Sequence, residues 1–271
     1  MTTSTKVALI TGAAGGIGSA TAQTFAQEGY ALMLADLDEV NLKKLADKLE
    51  AKGTRVVCLA GDLGEETYRQ NLVTQTVVQL GRLDVLVNNA AWRIPHSLRN
   101  LELATWEKTI NICLTAPVFL SKAAAQAMEK QGTPGVIINL SSVMAARPSG
   151  LAVAYIACKG ALESLTKELA ITYGRSGIRV VCVAPGYIET EMSNDYQNQE
   201  GDNISTQLIS HLTDFIPLGR GGAAQEVSQT IAWLCSDAAA YISGTTITVD
   251  GGFLPNFNSY SIKKLQFPEE F

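Results

Sequence analysis

The sequence predicts one doubly wound α/β domain, with about seven parallel strands and helices on both faces of the sheet. Three observations carry that reading. Seven short β-branched or aliphatic runs recur along the 271 residues. Segments with apolar spacing near 3.6 separate them. No low-complexity linker, charge block or internal repeat divides the chain.

The first run, Val7–Ile10, is apolar at every position, as expected of a strand buried on both faces. It leads through a glycine-rich turn into a helix begun by Ala20, Ala22 and Phe25. Ala31–Ala35 follows, then a helix with Leu42, Leu45 and Leu49 on one face among Lys43, Lys44, Asp47 and Lys48. Arg55–Ala60, Val85–Val87, Val136–Leu140, Val180–Val183 and Thr246–Val249 complete the strands. Gly29, Gly53 and Gly81 each end a helical stretch, where a left-handed cap is expected. A long helical pattern runs through Leu162, Leu165, Leu169 and Tyr173. One domain therefore spans residues 1–252. Within it, 189–215 carries Asn194, Asp195, Gln197, Asn198, Gln199, Gly201, Asp202 and Asn203, which predicts a mobile polar loop over the substrate. The extension 253–271, with Pro255, Asn256, Asn258 and Pro268, is expected to be extended, either packed on a neighbouring subunit or disordered.

Composition excludes several classes of function. Apolar residues make up 46% and charged residues 17%, enough for a core and too little charge for disorder. A formal charge of −5 without a basic cluster argues against nucleic acid. No apolar stretch is long enough to cross a membrane, and the start Met-Thr-Thr-Ser-Thr-Lys lacks a signal peptide's apolar core, so a soluble cytoplasmic protein is expected. Cys58, Cys113, Cys158, Cys182 and Cys235 form no C-x-x-C pair, and His96 and His211 are the only histidines. Reduced, mostly buried thiols are expected, with neither a disulfide framework nor a metal site.

The turn Thr11-Gly12-Ala13-Ala14-Gly15-Gly16-Ile17-Gly18 stands between a strand and a helix. In a Rossmann-type unit a dinucleotide pyrophosphate lies there, because glycine lets the backbone come close and the helix N-terminus offers unpaired N–H groups. Alone, such a turn can also bind nothing. Asp36 lies at the end of the second strand, 18 residues beyond Gly18. A carboxylate there accepts hydrogen bonds from the adenosine ribose hydroxyls of NAD and repels the extra phosphate of NADP. The competing reading makes Asp36 a cap for the next helix, together with Asp38.

Tyr155 and Lys159 are one helical turn apart, so they share a face. A free phenol titrates near ~10, too high for efficient acid–base work at neutral pH, and an ammonium beside it in a dry cleft favours phenolate.

With these residues in view, the chain resembles the short-chain dehydrogenase/reductase family of the common roughly 250-residue type. The similarity runs from Lys6 to about Gly252 and rests on seven marks in order. They are Thr11-Gly12-x-x-x-Gly16-x-Gly18, Asp62-Leu63, Asn88-Asn89-Ala90-Ala91, Asn111, Ser141-Ser142, Tyr155-x-x-x-Lys159 and Pro185-Gly186-x-Ile188-x-Thr190. The resemblance implies hydride transfer between nicotinamide and a secondary alcohol or ketone. Tyr155 would move the proton of the substrate oxygen, and Lys159 would bind the nicotinamide ribose and favour the phenolate. Ser142 would hydrogen-bond the substrate oxygen, with Ser141 its structural neighbour. Asn111 would hold a relay water, unless it only bridges backbone. Gly12, Gly16, Ile17 and Gly18 would cradle the pyrophosphate, and Asp62 and Leu63 would flank the adenine, unless Asp62 merely orders its turn. Asn89 and Ala90 would line the adenosine-side ribose region, and Pro185, Gly186, Ile188 and Thr190 the nicotinamide end. A homo-oligomer, dimer or tetramer, is also implied.

Two departures bear on specificity. Ala91 stands where glycine is usual, adding a methyl beside the cofactor. Gly15 stands where NADPH-preferring relatives often carry a cation, and Leu37 supplies none either, which with Asp36 points to NAD. Candidate substrate residues are Trp92, Arg93, Met144, Arg147 and Tyr187, with His96 and Met192 in the same segments. Either arginine could hold a carboxylate or phosphate, or be an exposed loop charge; His96 is expected to be a loop hydrogen-bonder. A polyol, sugar or hydroxy acid is preferred over a carrier-protein or steroid ketone, and a non-catalytic dinucleotide sensor is the remaining alternative.

Overall fold

Strand β1 (Val7–Thr11) is buried at every position and lies between β2 (Ala31–Asp36) and β4 (Val85–Asn88), both parallel to it. The computed structural model describes residues 5–190, 196–198 and 200–271. With β3 (Val56–Ala60), β5 (Gly135–Leu140), β6 (Ile178–Pro185) and, near the end of the chain, β9 (Thr246–Val249), these form one sheet in the order β3-β2-β1-β4-β5-β6-β9, every pairing parallel. All seven expected strands are present. A two-residue pair absent from the sequence reading, β7 (Ile188–Glu189) with β8 (Gly222–Ala223), sits just beyond β6.

Alternate residues of each strand enter different cores, which is why the strands read as unbroken apolar runs. Ala8, Ile10, Leu32, Leu34, Val87 and Ile138 pack with α1 (Gly16–Gln27), α2 (Glu39–Glu50) and α8 (Ala224–Cys235). Leu9, Met33, Leu86 and Ile137 pack with α3 (Glu66–Leu80) and α5 (Ala116–Gln131). Phe25 on α1 is fully buried and stacks on Tyr30 at 4.8 Å. Gly29, Gly53 and Gly81 all have positive φ, as helix stops of this kind require. At the opposite end of the sheet from the loops, the buried Asp84 carboxylate accepts from the Val7 N–H at 2.8 Å and from Arg82.

Two segments differ from expectation. The second half of 189–215 is a helix, α7 (Ser205–Asp214), whose Leu208, Ile209 and Leu212 give it an apolar stripe. Asn194, Asp195, Gln199 and Met192 fall outside the described residues. The tail is not extended. Arg147 Nη1 donates to the carbonyls of Phe253 (3.0 Å) and Asn256 (3.1 Å), and the chain then forms α9 (Tyr260–Gln266), capped by Ser259. Ser261 donates through both its N–H (2.9 Å) and hydroxyl (2.5 Å) to Asp214 at the end of α7. Among the described residues no helix is long and apolar enough to cross a membrane.

Candidate active site

The sheet order reverses direction between β1 and β4, and in α/β sheets the crevice outside the C-terminal strand ends at such a reversal is where ligands bind. Thr11 ties the two strands together. Its hydroxyl donates to Val87 O at 3.3 Å and accepts from the N–H groups of Asn89 (3.1 Å) and Ala90 (3.2 Å). Asn89 returns two bonds, donating through Nδ2 to the carbonyls of Thr11 (2.9 Å) and Gly12 (3.0 Å). Thus Asn89 holds the glycine turn in place, a role not legible from its motif, and Thr11, named in the turn motif without a role, joins that turn to the segment after β4.

The turn is as tight as its glycines demand. Gly12 has φ 64°, and a Cβ on it would lie 2.8 Å from Ala90 Cα. One on Gly18 would lie 2.0 Å from Gly12 O, and one on Gly16 2.5 Å from Thr190 Cγ2. Gly15 is different: its nearest neighbour would be 3.5 Å away. Gly15 is also the N-cap of α1, without a side-chain cap bond, and the first turn has no acidic residue. The opening N–H groups are left for an anion, which suits a dinucleotide pyrophosphate. Ile17 is half-buried against the core beside this turn.

Asp36 Oδ2 accepts from the Ala14 N–H at 2.8 Å and Oδ1 from Asp38 N–H at 3.0 Å. The carboxylate therefore faces the glycine turn. Asp38, not Asp36, caps α2 by accepting from Asn41 N–H at 3.0 Å. Leu37 is exposed and, like Gly15, offers no cation.

After β3, Asp62 Oδ1 accepts from Gly64 N–H at 2.7 Å, ordering the turn, while Leu63 is buried. Arg69, itself buried and unremarked in the sequence, donates to the carbonyls of Leu63 (2.6 Å) and Gly64 (2.8 Å). Asn111 Nδ2 lies 3.5 Å from the same Gly64 oxygen. Asn111 opens a π-turn, Asn111–Thr115, between α4 (Leu103–Ile110) and α5. Such a turn widens the backbone ring and commonly marks a functional site.

Tyr155 and Lys159 lie on the first two turns of α6 (Val153–Tyr173). Lys159 is buried; its Nζ donates to Leu140 O at 2.5 Å and sits 5.2 Å from the centre of the Tyr155 ring. Ser141 Oγ is 3.0 Å from both Lys159 O and Glu163 Oε1, so it fastens α6 to the end of β5. Ser142 is buried and accepts from Met144 N–H at 3.2 Å, starting a short 3₁₀ turn that packs on α6. Behind them, Asn88 donates to Ser121 Oγ (3.1 Å) and Asn139 Oδ1 (2.9 Å), and Asn139 to Thr166 Oγ1 (2.9 Å), which joins β4 and β5 to α5 and α6. Burial pushes the neighbouring Cys158 thiol up to about 12 and also raises Cys113, which disfavours the thiolate at both. Pro185 ends β6, and Gly186, buried Ile188 and Thr190 follow it, with Gly186 closely backed by Asp250.

The substrate candidates separate. Arg93 comes together with Tyr155 and Met144, its Nη1 3.8 Å from Met144 Sδ. Tyr196, from the polar segment and absent from the sequence reading, joins them. Arg147 does not: its guanidinium is taken by the tail carbonyls and stacks on Phe253 (4.4 Å) and Phe215 (5.2 Å). Trp92 carries the Lys108 ammonium 4.7 Å from its ring centre. Tyr187 packs against Gly221 and accepts from Gly222 N–H through its carbonyl at 2.9 Å. His96 hydrogen-bonds through its backbone, to Leu151 O at 2.8 Å; its buried Nε2 has no partner among the described residues.

Comparison with known proteins gives the family. A family model described as Enoyl-(Acyl carrier protein) reductase matches residues 12–254. Cis-4-hydroxycyclohexanecarboxylate dehydrogenase of Sinomonas cyclohexanicum is 35% identical over 249 residues, 92% of this chain and 96% of the relative. Meso-2,3-butanediol dehydrogenase of Serratia marcescens is 33% identical, covering 91% of this chain and 94% of its own. The crystal structure of acetoin dehydrogenase YohF from Salmonella typhimurium superposes with a TM-score of 0.83 at 34% identity, over 94% of this chain and 99% of that one. The glycine turn at the β1–β4 reversal, the Tyr155–Lys159 pair on α6 and similarity along nearly the whole length have one common source: the chain belongs to the short-chain dehydrogenase/reductase family.

Proposed function

We propose that this protein is an NAD(H)-dependent dehydrogenase of secondary alcohols, acting on a polyol, sugar or hydroxy acid. The observation that carries the reading is the Lys159 ammonium, buried and 5.2 Å from the Tyr155 ring centre. The similar proteins named for cis-4-hydroxycyclohexanecarboxylate and meso-2,3-butanediol support the substrate class, since both compounds are secondary alcohols.

In the oxidative direction, the Tyr155 phenolic oxygen takes the hydroxyl proton while the Ser142 hydroxyl donates to the same substrate oxygen, holding the carbinol carbon in place. In reduction Tyr155 returns the proton. Lys159 holds the nicotinamide ribose and keeps positive charge beside the phenol. Asn111 holds a water on the proton path to solvent. Gly12, Gly16, Ile17 and Gly18 with the N-terminus of α1 hold the pyrophosphate. Asp62 and Leu63 flank the adenine, Ala90 lines the ribose region, and Pro185, Gly186, Ile188 and Thr190 form the nicotinamide end. When bound, the dinucleotide supplies the hydride acceptor or donor. Asp36 accepts from its adenosine ribose hydroxyls; a carboxylate there, with no cation at Gly15 or Leu37, disfavours a 2′-phosphate.

The test is a panel of polyols, aldoses, hydroxy acids and cyclic alcohols with NAD⁺ and NADP⁺ in parallel. Turnover of secondary alcohols with NAD⁺, roughly tenfold or more better than with NADP⁺, is the expected result, given the worth of charge-assisted hydrogen bonds. Tight NADH binding with no turnover on any alcohol or ketone would instead make the protein a dinucleotide sensor.

A further inference from the structure

We infer that Arg93 is a specificity-determining residue that anchors a substrate carboxylate, so the alcohol presented to Tyr155 is a hydroxy acid. This rests on the dehydrogenase reading above.

The loop that carries Arg93 is fixed on both sides. Trp92 N–H donates to Cys113 Sγ in the π-turn at 3.2 Å, and His96 N–H donates to Leu151 O, four residues before Tyr155, at 2.8 Å. The guanidinium is thereby held 5.9 Å from the centre of the Tyr155 ring, beside the proton-transfer position. Its partners are weak. Nη1 meets the Met144 sulfur at 3.8 Å, Nη2 meets Tyr196 Oη at 3.5 Å, and the group lies 5.9 Å from the Tyr196 ring centre.

Among the described residues no carboxylate pairs with Arg93; the ion pairs are Lys43–Asp47, Arg82–Asp84 and Arg220–Glu226. Among the described residues this half-buried guanidinium faces a thioether, a phenol and two rings, which leaves fork-shaped donor capacity to spare. A carboxylate uses that capacity with two parallel charge-assisted hydrogen bonds. Of the two candidate arginines, Arg147 has two backbone carbonyls and two phenyl rings around it, whereas Arg93 keeps donors for a ligand among the described residues.

A carboxylate fits better than a phosphate. One guanidinium balances one negative charge, whereas a phosphate dianion calls for a second cation. Lys159 is buried on Leu140 O, and Lys108 lies over Trp92. Tyr196 adds a neutral hydroxyl on the same side, and its N–H is fixed by Ser205 Oγ at 2.8 Å, so the polar segment before α7 reaches the site through this residue.

The experiment compares an acid with its uncharged amide. With whichever alcohol of the panel turns over, cyclohexanecarboxylate and cyclohexanecarboxamide are measured as competitive inhibitors of the wild type, Arg93→Met and Arg93→Lys. The acid is expected to bind the wild type roughly 10- to 100-fold more tightly than the amide, the range of a charge-assisted bond. Arg93→Met should erase that ratio, and Arg93→Lys should retain part of it. A residue that only clips Tyr155 to Tyr196 would change acid and amide alike. Equal inhibition of the wild type by both compounds, or a ratio that survives in Arg93→Met, overturns the proposal. If no alcohol turns over, the dehydrogenase reading has failed. Calorimetric titration of both compounds into the NADH-saturated protein then decides the anion site separately.

Discussion

Lys159 Nζ donates to the carbonyl oxygen of Leu140 at 2.5 Å, which fixes the ammonium on α6 to the last residue of β5. The position is buried, so the charge is placed by the sheet and does not swing in from solvent. Lys159→Met is expected to keep its secondary structure by circular dichroism and to lose about 1–3 kcal/mol of stability in urea, because Leu140 O is left without its donor. Turnover should fall by roughly 10²-fold or more, as for loss of an acid–base partner. Lys159→Arg should not restore it, since a planar fork does not fit where a compact ammonium is enclosed.

Gly18 and Gly15 form a matched pair of tests. A methyl on Gly18 meets Gly12 O at 2.0 Å, and one on Gly15 has no atom nearer than 3.5 Å. Gly18→Ala should cost about 1–3 kcal/mol and weaken NADH binding in a fluorescence titration. Gly15→Ala should leave both nearly unchanged. Equal behaviour of the two variants would mean that the turn relaxes freely.

Asp36 is expected to set cofactor choice. Asp36→Ala should narrow the NAD⁺ over NADP⁺ ratio of kcat/KM, and Gly15→Arg combined with it should narrow it further by giving a 2′-phosphate its cation. A wild type that already prefers NADPH would show that the Asp36 carboxylate is not the selecting group.

Glu226 makes a pH-dependent clamp at the start of α8. Its carboxylate takes two bonds from Arg220 (2.7 and 2.8 Å) and one from Ala223 N–H (2.8 Å), and the Arg220 bonds above all lower it to about 2. A carboxyl depressed in the folded state contributes fully above its unfolded value, 4.5, and the contribution disappears as pH falls toward 2. Denaturation melts between pH 5 and 2 should show a shallower acid loss in Glu226→Gln than in the wild type.

Much of this molecule is legible in its sequence, for physical reasons. Parallel strands such as Val7–Thr11 are buried on both faces and betray themselves as apolar runs. Gly12, Gly16 and Gly18 are required by contacts under 3 Å, so they stand out as glycines in a fixed order. What stayed hidden depends on partners distant in sequence. Arg147 reads as a free loop cation until the tail returns to it more than a hundred residues later. Thr11, Arg69 and Tyr196 act through backbone groups or side chains on other elements. The π-turn at Asn111 changes hydrogen-bond register without any composition signal. Helix α9 is seven residues long, too short for periodicity, although Ser259 is an ordinary N-cap residue.

The central claim is that Tyr155 carries the substrate proton. Tyr155→Phe, assayed with the best alcohol of the panel beside an NADH titration, measures it most directly. The account predicts unchanged NADH affinity and turnover lower by roughly 10²–10⁴-fold, the usual worth of a positioned acid–base group. Near wild-type turnover in that variant would contradict it.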